Sequence, residues 1–115
     1  MSVNGEPYVI EYNVRMGDPE TQAVFSRINS DLVELLAAST NGTLDQCDLI
    51  LDEQTAATVV MVSGGYPGNY SKGNKITGIS QVSKAQVFHA GTKHGADDTV
   101  LTNGGRVIAV TGKGN

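Results

Sequence analysis

The chain has no tryptophan, and phenylalanine and tyrosine together make up only 5% of its 115 residues. Any core it builds is therefore aliphatic. There is one cysteine, Cys47. That excludes an internal disulfide framework and a cysteine-only zinc site, and leaves a reduced, cytoplasmic setting as the expectation. Basic residues are scarce: 8 Lys and Arg against 12 Asp and Glu give a net charge of −4. This argues against a broad nucleic-acid-binding face and against a polybasic membrane anchor. No apolar run approaches the ~18 residues of a membrane span, and no charged-then-apolar leader opens the chain. Hydrophobic content of 39% with 17% charged residues is not the composition of a disordered segment. At this length the chain is one domain or part of one.

What is plentiful is glycine. There are 14, and 11 of them lie after residue 62. Average usage is about 7%, so the second half is strongly enriched and differs in character from the first.

The first half opens with Tyr8-Val9-Ile10-Glu11-Tyr12-Asn13-Val14-Arg15, which is rich in β-branched and aromatic residues and predicts a strand. With a period of two, Glu11, Asn13 and Arg15 share one face. Asp18 is a suitable N-cap, Pro19 fits a first helical position, and Glu20 suits the first turn. Val24, Ile28, Leu32, Leu35 and Leu36 then predict helix through Ala38, with a second cap at Asn29 or Ser30 and a stop at Asn41-Gly42. Residues 43–58 read as a short helix or irregular connection. Thr58–Val62 reads as a short buried strand. Lys75–Ile79, Gln86–His89, Thr99–Thr102 and Arg106–Thr111 read as strands of antiparallel hairpins, separated by glycine, asparagine and aspartate turns. A lone first strand is not stable by itself, so the expectation is that its sheet partners lie outside these residues.

Several groups could carry chemistry. Glu11 and Asn13 could share one hard cation, since Mg²⁺ takes one or two carboxylates and leaves other positions to water and phosphate. On these residues alone a polar strand face in water, with Arg15 bridging Glu11, is the reading that comes first. Ser63-Gly64-Gly65-Tyr66-Pro67-Gly68 could bring backbone N–H groups to an anion, or be a tight turn; it lacks the lysine of a P-loop. Asn103-Gly104-Gly105-Arg106 reads as a hairpin turn with an arginine able to reach a phosphate. His89 and His94 are not spaced as a helical metal pair, and a hydrogen-bonded structural histidine is the expectation for His89. Cys47 has no basic neighbour to make it a nucleophile.

Taken together, Val9-Ile10-Glu11-Tyr12-Asn13-Val14-Arg15-Met16-Gly17-Asp18-Pro19-Glu20-Thr21-Gln22 closely resembles the signature segment of the phosphoribosylamine–glycine ligases. Ser30–Leu35, Ser63–Gly68, His89-Ala90-Gly91-Thr92-Lys93 and Thr102–Val107 resemble later motifs of that family, in the same order. The resemblance covers nearly the whole chain. It implies an α+β fold: residues 1–42 as the last strand and helices of an ATP-grasp domain, and 43–115 as a small, mostly antiparallel β domain. It implies an ATP-dependent ligation of glycine to phosphoribosylamine through a glycyl phosphate, in purine biosynthesis. By the same resemblance Glu11 and Asn13 are ligands of Mg²⁺ or Mn²⁺, and Arg15 and Asp18 are catalytic. Glu20, Gly64, Gly65, Thr92, Lys93, Asn103, Gly104 and Arg106 bind substrate.

Members of this family are several times longer, and no lysine precedes Glu11 to clamp a nucleotide. The expectation is a C-terminal fragment that does not catalyse alone and that could pair with a second copy through exposed strands. Two alternatives stand beside this: a related ATP-grasp ligase or carboxylase, which the Gly17-Asp18-Pro19-Glu20 and Gly64-Gly65-Tyr66-Pro67 stretches argue against, and a non-catalytic oligomerisation or binding module.

Overall fold

A computed structural model describes residues 1–115. Its elements are β1 (Ser2–Val3), β2 (Glu6–Pro7), α1 (Thr21–Phe25), α2 (Leu32–Asn41), β3 (Thr55–Val62), β4 (Lys75–Ile76), β5 (Gln86–His89), β6 (Thr92–His94), β7 (Val100–Thr102) and β8 (Arg106–Gly114).

The organising element is β8. It pairs antiparallel with β3 on one side and β5 on the other. The β3 register runs from Thr55 opposite Gly114 to Met61 opposite Ile108, then shifts so that Val62 faces Arg106. Val107, Ile108, Ala109 and Thr111 of β8 are buried and form most of the small aliphatic core. Burying a side chain such as Val107 or Ile108 contributes about 1.5–3 kcal/mol. Across the sheet the Thr58 and Thr111 hydroxyls meet at 2.8 Å, so the one polar pair in this layer is satisfied. A second sheet has β7 at its centre, antiparallel to β4 and to β6. The 103–105 turn carries β7 directly into β8 and so joins the two sheets. The strands expected in the second half are present and pair antiparallel, but not as hairpins of the expected neighbours: β4, only two residues long, pairs with β7, β5 pairs with β8, and the one sequential pair, β6–β7, uses a strand at Thr92–His94 that was not expected. Of residues 43–58, expected as a short helix or irregular connection, 43–54 hold one short 3₁₀ turn at Leu44–Gln46, while 55–58 belong instead to β3.

The helical stretch is split, as its cap signals suggested. The second cap is Asp31 rather than Asn29 or Ser30: its Oδ1 accepts from the Val33 and Glu34 amides at 2.8 and 3.2 Å. Ser30 instead bridges to the 48–50 segment, donating to the Asp48 carbonyl and accepting from the Ile50 amide. Gly42, at φ 71°, ends α2 as expected. Helix α1 lies against β3 and β8.

Three expectations are corrected. Residues 8–15 form no strand. Tyr12 and Val14 are 82% and 94% exposed, and no strand of this chain pairs with them; without ladder partners, β-propensity alone does not hold a strand. The hairpin of the amino-terminal segment is instead β1–β2, turned at Asn4-Gly5, both at positive φ. Secondly, Asp18 is not a helix cap and Pro19 is not the first helical residue. Helix α1 begins at Thr21, whose amide and hydroxyl both donate to the Gly17 carbonyl, at 3.0 and 2.5 Å. Thirdly, β3 is an edge strand, not a buried one. It has β8 on one side only, and Val59, Met61 and Val62 are exposed.

Candidate functional site

Three glycine-bearing turns of the second half, at 63–68, 90–91 and 103–105, meet at one junction. Ser63, buried at the end of β3, donates its hydroxyl to the Gly104 carbonyl at 2.8 Å and its amide to the Gly105 carbonyl at 2.8 Å. Gly91, between β5 and β6, donates its amide to the Arg106 carbonyl at 2.9 Å. Its own carbonyl accepts from Asn103 and Gly104, at 2.7 and 3.0 Å. Tyr66 lies over Gly105, where an added Cβ would come within 2.1 Å of its ring. Tyr66 also meets Tyr70 edge to face, with ring centres 6.1 Å apart.

Glycine is required here mainly for close packing. A Cβ on Gly91 would lie 2.5 Å from the Arg106 carbonyl oxygen, and one on Gly65, at φ 96°, would lie 2.3 Å from the Asn69 carbonyl oxygen. Gly104 faces Gly91 in the same way. Gly64 differs: open space surrounds the position of its missing side chain. Among these glycines it is the one whose backbone another molecule can approach closely.

The polar side chains are arranged around this junction. Arg106, the first residue of β8, directs its guanidinium to Asp18, with Nη1 and Oδ2 3.3 Å apart. Two residues distant in sequence, both singled out for chemistry, are thus brought together. Thr92 and Lys93 start β6 beside Gly91, and the Thr92 hydroxyl is 3.1 Å from His89 Nδ1. His89 is therefore the hydrogen-bonded histidine expected. His89, Thr92, Lys93, His94 and Val100 line one small cleft on this side. Glu20 folds back so that its carboxylate accepts from the Gly17 amide at 3.2 Å. Asn103 is exposed in the turn.

Glu11, Asn13 and Arg15 are not drawn into the junction. They lie in the exposed stretch without regular structure, and no hydrogen bond or ion pair engages the Glu11 or Asn13 side chain. Arg15 donates only to the adjacent Met16 carbonyl, at 3.0 Å. Both Glu11 and Asn13 offer hard oxygen donors free of protein partners, which suits Mg²⁺ or Mn²⁺. They make at most a partial set, since no group of three or more His, Cys, Asp or Glu side chains converges anywhere.

Two contributors were not singled out in sequence. Ser63 locks two turns together from a buried position, and only its place before a glycine pair hinted at it. Asp52 is the other. Its Oδ2 meets Lys113 Nζ at 2.6 Å, and its Oδ1 accepts from the Gln54 amide at 2.9 Å. Its carbonyl takes two bonds from the Arg27 guanidinium, at 3.1 and 2.8 Å. The hydrogen bond from Lys113, followed by that from Gln54, holds the Asp52 carboxyl below the usual carboxylate range. This cluster ties Arg27, just after α1, and the 52–54 segment to the end of β8.

Residues 56–115 match the family model for phosphoribosylglycinamide synthetase, C domain. The phosphoribosylamine–glycine ligase of Salmonella typhimurium is 50% identical over 113 residues, covering 96% of this chain and 26% of that protein. Those of Vibrio cholerae and Yersinia pestis are 52% and 48% identical, with 26% and 27% of each covered. The crystal structure of the Thermotoga maritima phosphoribosylamine–glycine ligase superposes with a TM-score of 0.71 at 32% identity, covering 96% of this chain and 27% of that one. The chain thus spans about a quarter of the length of the relatives it matches. No helix is long and apolar enough to cross a membrane.

Proposed function

The chain belongs to the phosphoribosylglycinamide synthetase family, whose C domain its residues 56–115 match, and from that premise we propose that it supplies the carboxy-terminal part of an ATP-dependent ligase joining glycine to phosphoribosylamine. In this reading residues 1–42 complete an ATP-grasp domain and 43–115 form the β domain beside it. The observation that carries the reading is the 50% identity to ligases sustained over 96% of the chain, not over its glycine turns alone.

The reaction has two steps. A glycine carboxylate oxygen takes the γ-phosphoryl group of ATP, and ADP leaves. The amine of phosphoribosylamine then attacks the acyl carbon of the glycyl phosphate, loses a proton and expels inorganic phosphate, leaving glycinamide ribonucleotide. Glu11 and Asn13 would hold the Mg²⁺ or Mn²⁺, which when bound screens the charge of the ATP phosphates. Arg15 supplies fixed positive charge to the phosphoryl group in transfer, the kind of preorganised stabilisation that favours the transition state. Arg106 and Lys93 carry the cationic donors near the Gly91–Gly104 junction and receive the ribose phosphate, while open Gly64 allows close approach. Asp18 and Glu20 border the glycine and amine pocket. Residues 1–115 alone do not turn over, because they span about a quarter of the relatives' length and leave Glu11, Asn13 and Arg15 in an unenclosed segment.

The test uses a chain extended on both sides to the length of the relatives. ADP release is followed with Mg²⁺, ATP and glycine, with and without phosphoribosylamine, for the wild type and Glu11→Gln. Turnover that needs phosphoribosylamine and collapses in the variant is the expected result. Turnover indifferent to phosphoribosylamine overturns the substrate assignment, and an unaffected variant overturns the metal role of Glu11.

A further inference from the structure

We propose that Asp18 is a positioning residue for Arg106: it occupies the guanidinium until an anionic substrate group takes its place, so that arrival of the anion at the 103–106 turn frees the 16–20 segment. The choice of a phosphate monoester as the anion rests on the ligase reading above; the pair itself does not.

The two partners are held very differently. The backbone of Arg106 is fixed, with its carbonyl bonded to Gly91, buried Gly105 before it and buried Val107 after it. Only its side chain is free to turn. Asp18 sits in a short segment stabilised by its own local bonds, Glu20 to Gly17 and Thr21 to Gly17. The Asp18–Arg106 contact is the one ion pair joining residues 1–20 to the sheets.

The contact is also easily exchanged. It is a single approach of 3.3 Å with side chains 44% and 63% exposed. A guanidinium presents five N–H donors in a fork that matches a phosphate or carboxylate in two-bonded fashion. Exposed ion pairs of this sort contribute little to stability. A phosphate dianion that engages two of the donors therefore displaces Asp18 favourably, and the vacated carboxylate becomes available to a cationic or amine group beside it.

The experiment is a titration of the 115-residue chain with ribose 5-phosphate at low ionic strength, followed by ¹H–¹⁵N NMR at the Arg106 Nε–H and at the Gly17 and Glu20 amides. Wild type, Asp18→Asn and Arg106→Gln are compared. Asp18→Asn is expected to bind about two- to fivefold more tightly, because one surface ion pair no longer competes. Arg106→Gln is expected to lose binding. In the wild type, saturation moves the Gly17 and Glu20 amides toward their positions in Arg106→Gln. Loss of the Asp18 charge alone would also favour a dianion, so the movement of the Gly17 and Glu20 amides in the wild type, which an undisplaced Asp18 would not give, separates exchange of the pair from simple repulsion. The proposal is overturned if Asp18→Asn binds equally or less tightly, if those amides stay fixed at saturation, or if the Arg106 signal answers to no phosphate in either background. The first two outcomes leave the ligase reading standing, which the phosphoribosylamine dependence of the extended chain decides separately.

Discussion

Gly91 and Gly104 face one another backbone to backbone, with the Gly104 amide donating to the Gly91 carbonyl at 3.0 Å and no room between them for a side chain. A Cβ on Gly91 would lie 2.6 Å from Gly104 Cα and 2.5 Å from the Arg106 carbonyl oxygen. Both are main-chain atoms, so neither can swing away. Gly91→Ala is expected to destabilise the fold by about 1–3 kcal/mol, the cost of overpacking a close contact. Gly64→Ala, in open space, is expected to change stability by less than about 0.5 kcal/mol. Urea unfolding of the two variants compares them. Equal midpoints would mean that the turns do not close on one another as described.

How much of this was legible in the sequence depends on whether the determinant was local. The αL stop at Gly42 and the strands at Gln86–His89 and Arg106 onward follow from signals within a few residues, and they are present. The Asn4-Gly5 hairpin was equally local but lay in the shadow of the stronger β-propensity of residues 8–15. That propensity had no partner to act on: a strand exists only as part of a ladder, and composition cannot say whether the ladder is there. Asp18 and Arg106 were each conspicuous, but their meeting depends on chain separated by 87 intervening residues. Asp52 was invisible for the same reason, since its importance comes from Lys113, Arg27 and Gln54 converging on it.

The Asp52 cluster predicts a defined acid response. The folded state holds this carboxyl below its ordinary value, by the Lys113 hydrogen bond first and the Gln54 amide second. Its contribution to stability is therefore present above the unfolded pKa and is lost as the pH falls through the lower, folded value. Asp52→Asn is expected to lower the unfolding midpoint at neutral pH. The gap between wild type and variant should stay level through mild acid and close only below the ordinary carboxylate range. Urea midpoints taken down to about pH 3 follow it. A gap that widens on acidification would give the opposite sign and would mean that Asp52 is not stabilised as a carboxylate.

Helix α2 depends on its first turn. Asp31 accepts from two amides that would otherwise have no partner, and α2 presents half-buried Leu32 and Leu35 and buried Ala38 to the rest of the fold. Asp31→Ala is expected to cost about 1 kcal/mol, the usual value of a lost N-cap. Asp31→Ser or Asp31→Asn should restore most of it, because either side chain can accept from the same amides. Far-ultraviolet circular dichroism with urea titration reads both. A full-size loss in Asp31→Asn would point to the charge near the helix dipole rather than to the cap bond.

Arg15 offers the cleanest separation of fold from chemistry. Its only side-chain bond is to the carbonyl of its neighbour Met16, and it lies in a stretch that contributes no buried surface. In the 115-residue chain, Arg15→Ala is therefore expected to leave the urea midpoint unchanged to within about 0.5 kcal/mol. On the proposed reading, the same substitution in a chain extended to the relatives' length would remove fixed charge from the phosphoryl group in transfer. It is expected to lower kcat by about 10²–10³, with a smaller change in the KM for ATP, as for other preorganised donors that act in the transition state. Arg15→Lys keeps the charge but not the fork and should recover part of kcat. A variant that raises KM while sparing kcat would place Arg15 in ground-state nucleotide binding instead. One that unfolds the short chain would show that the exposed segment is anchored by contacts this side chain makes.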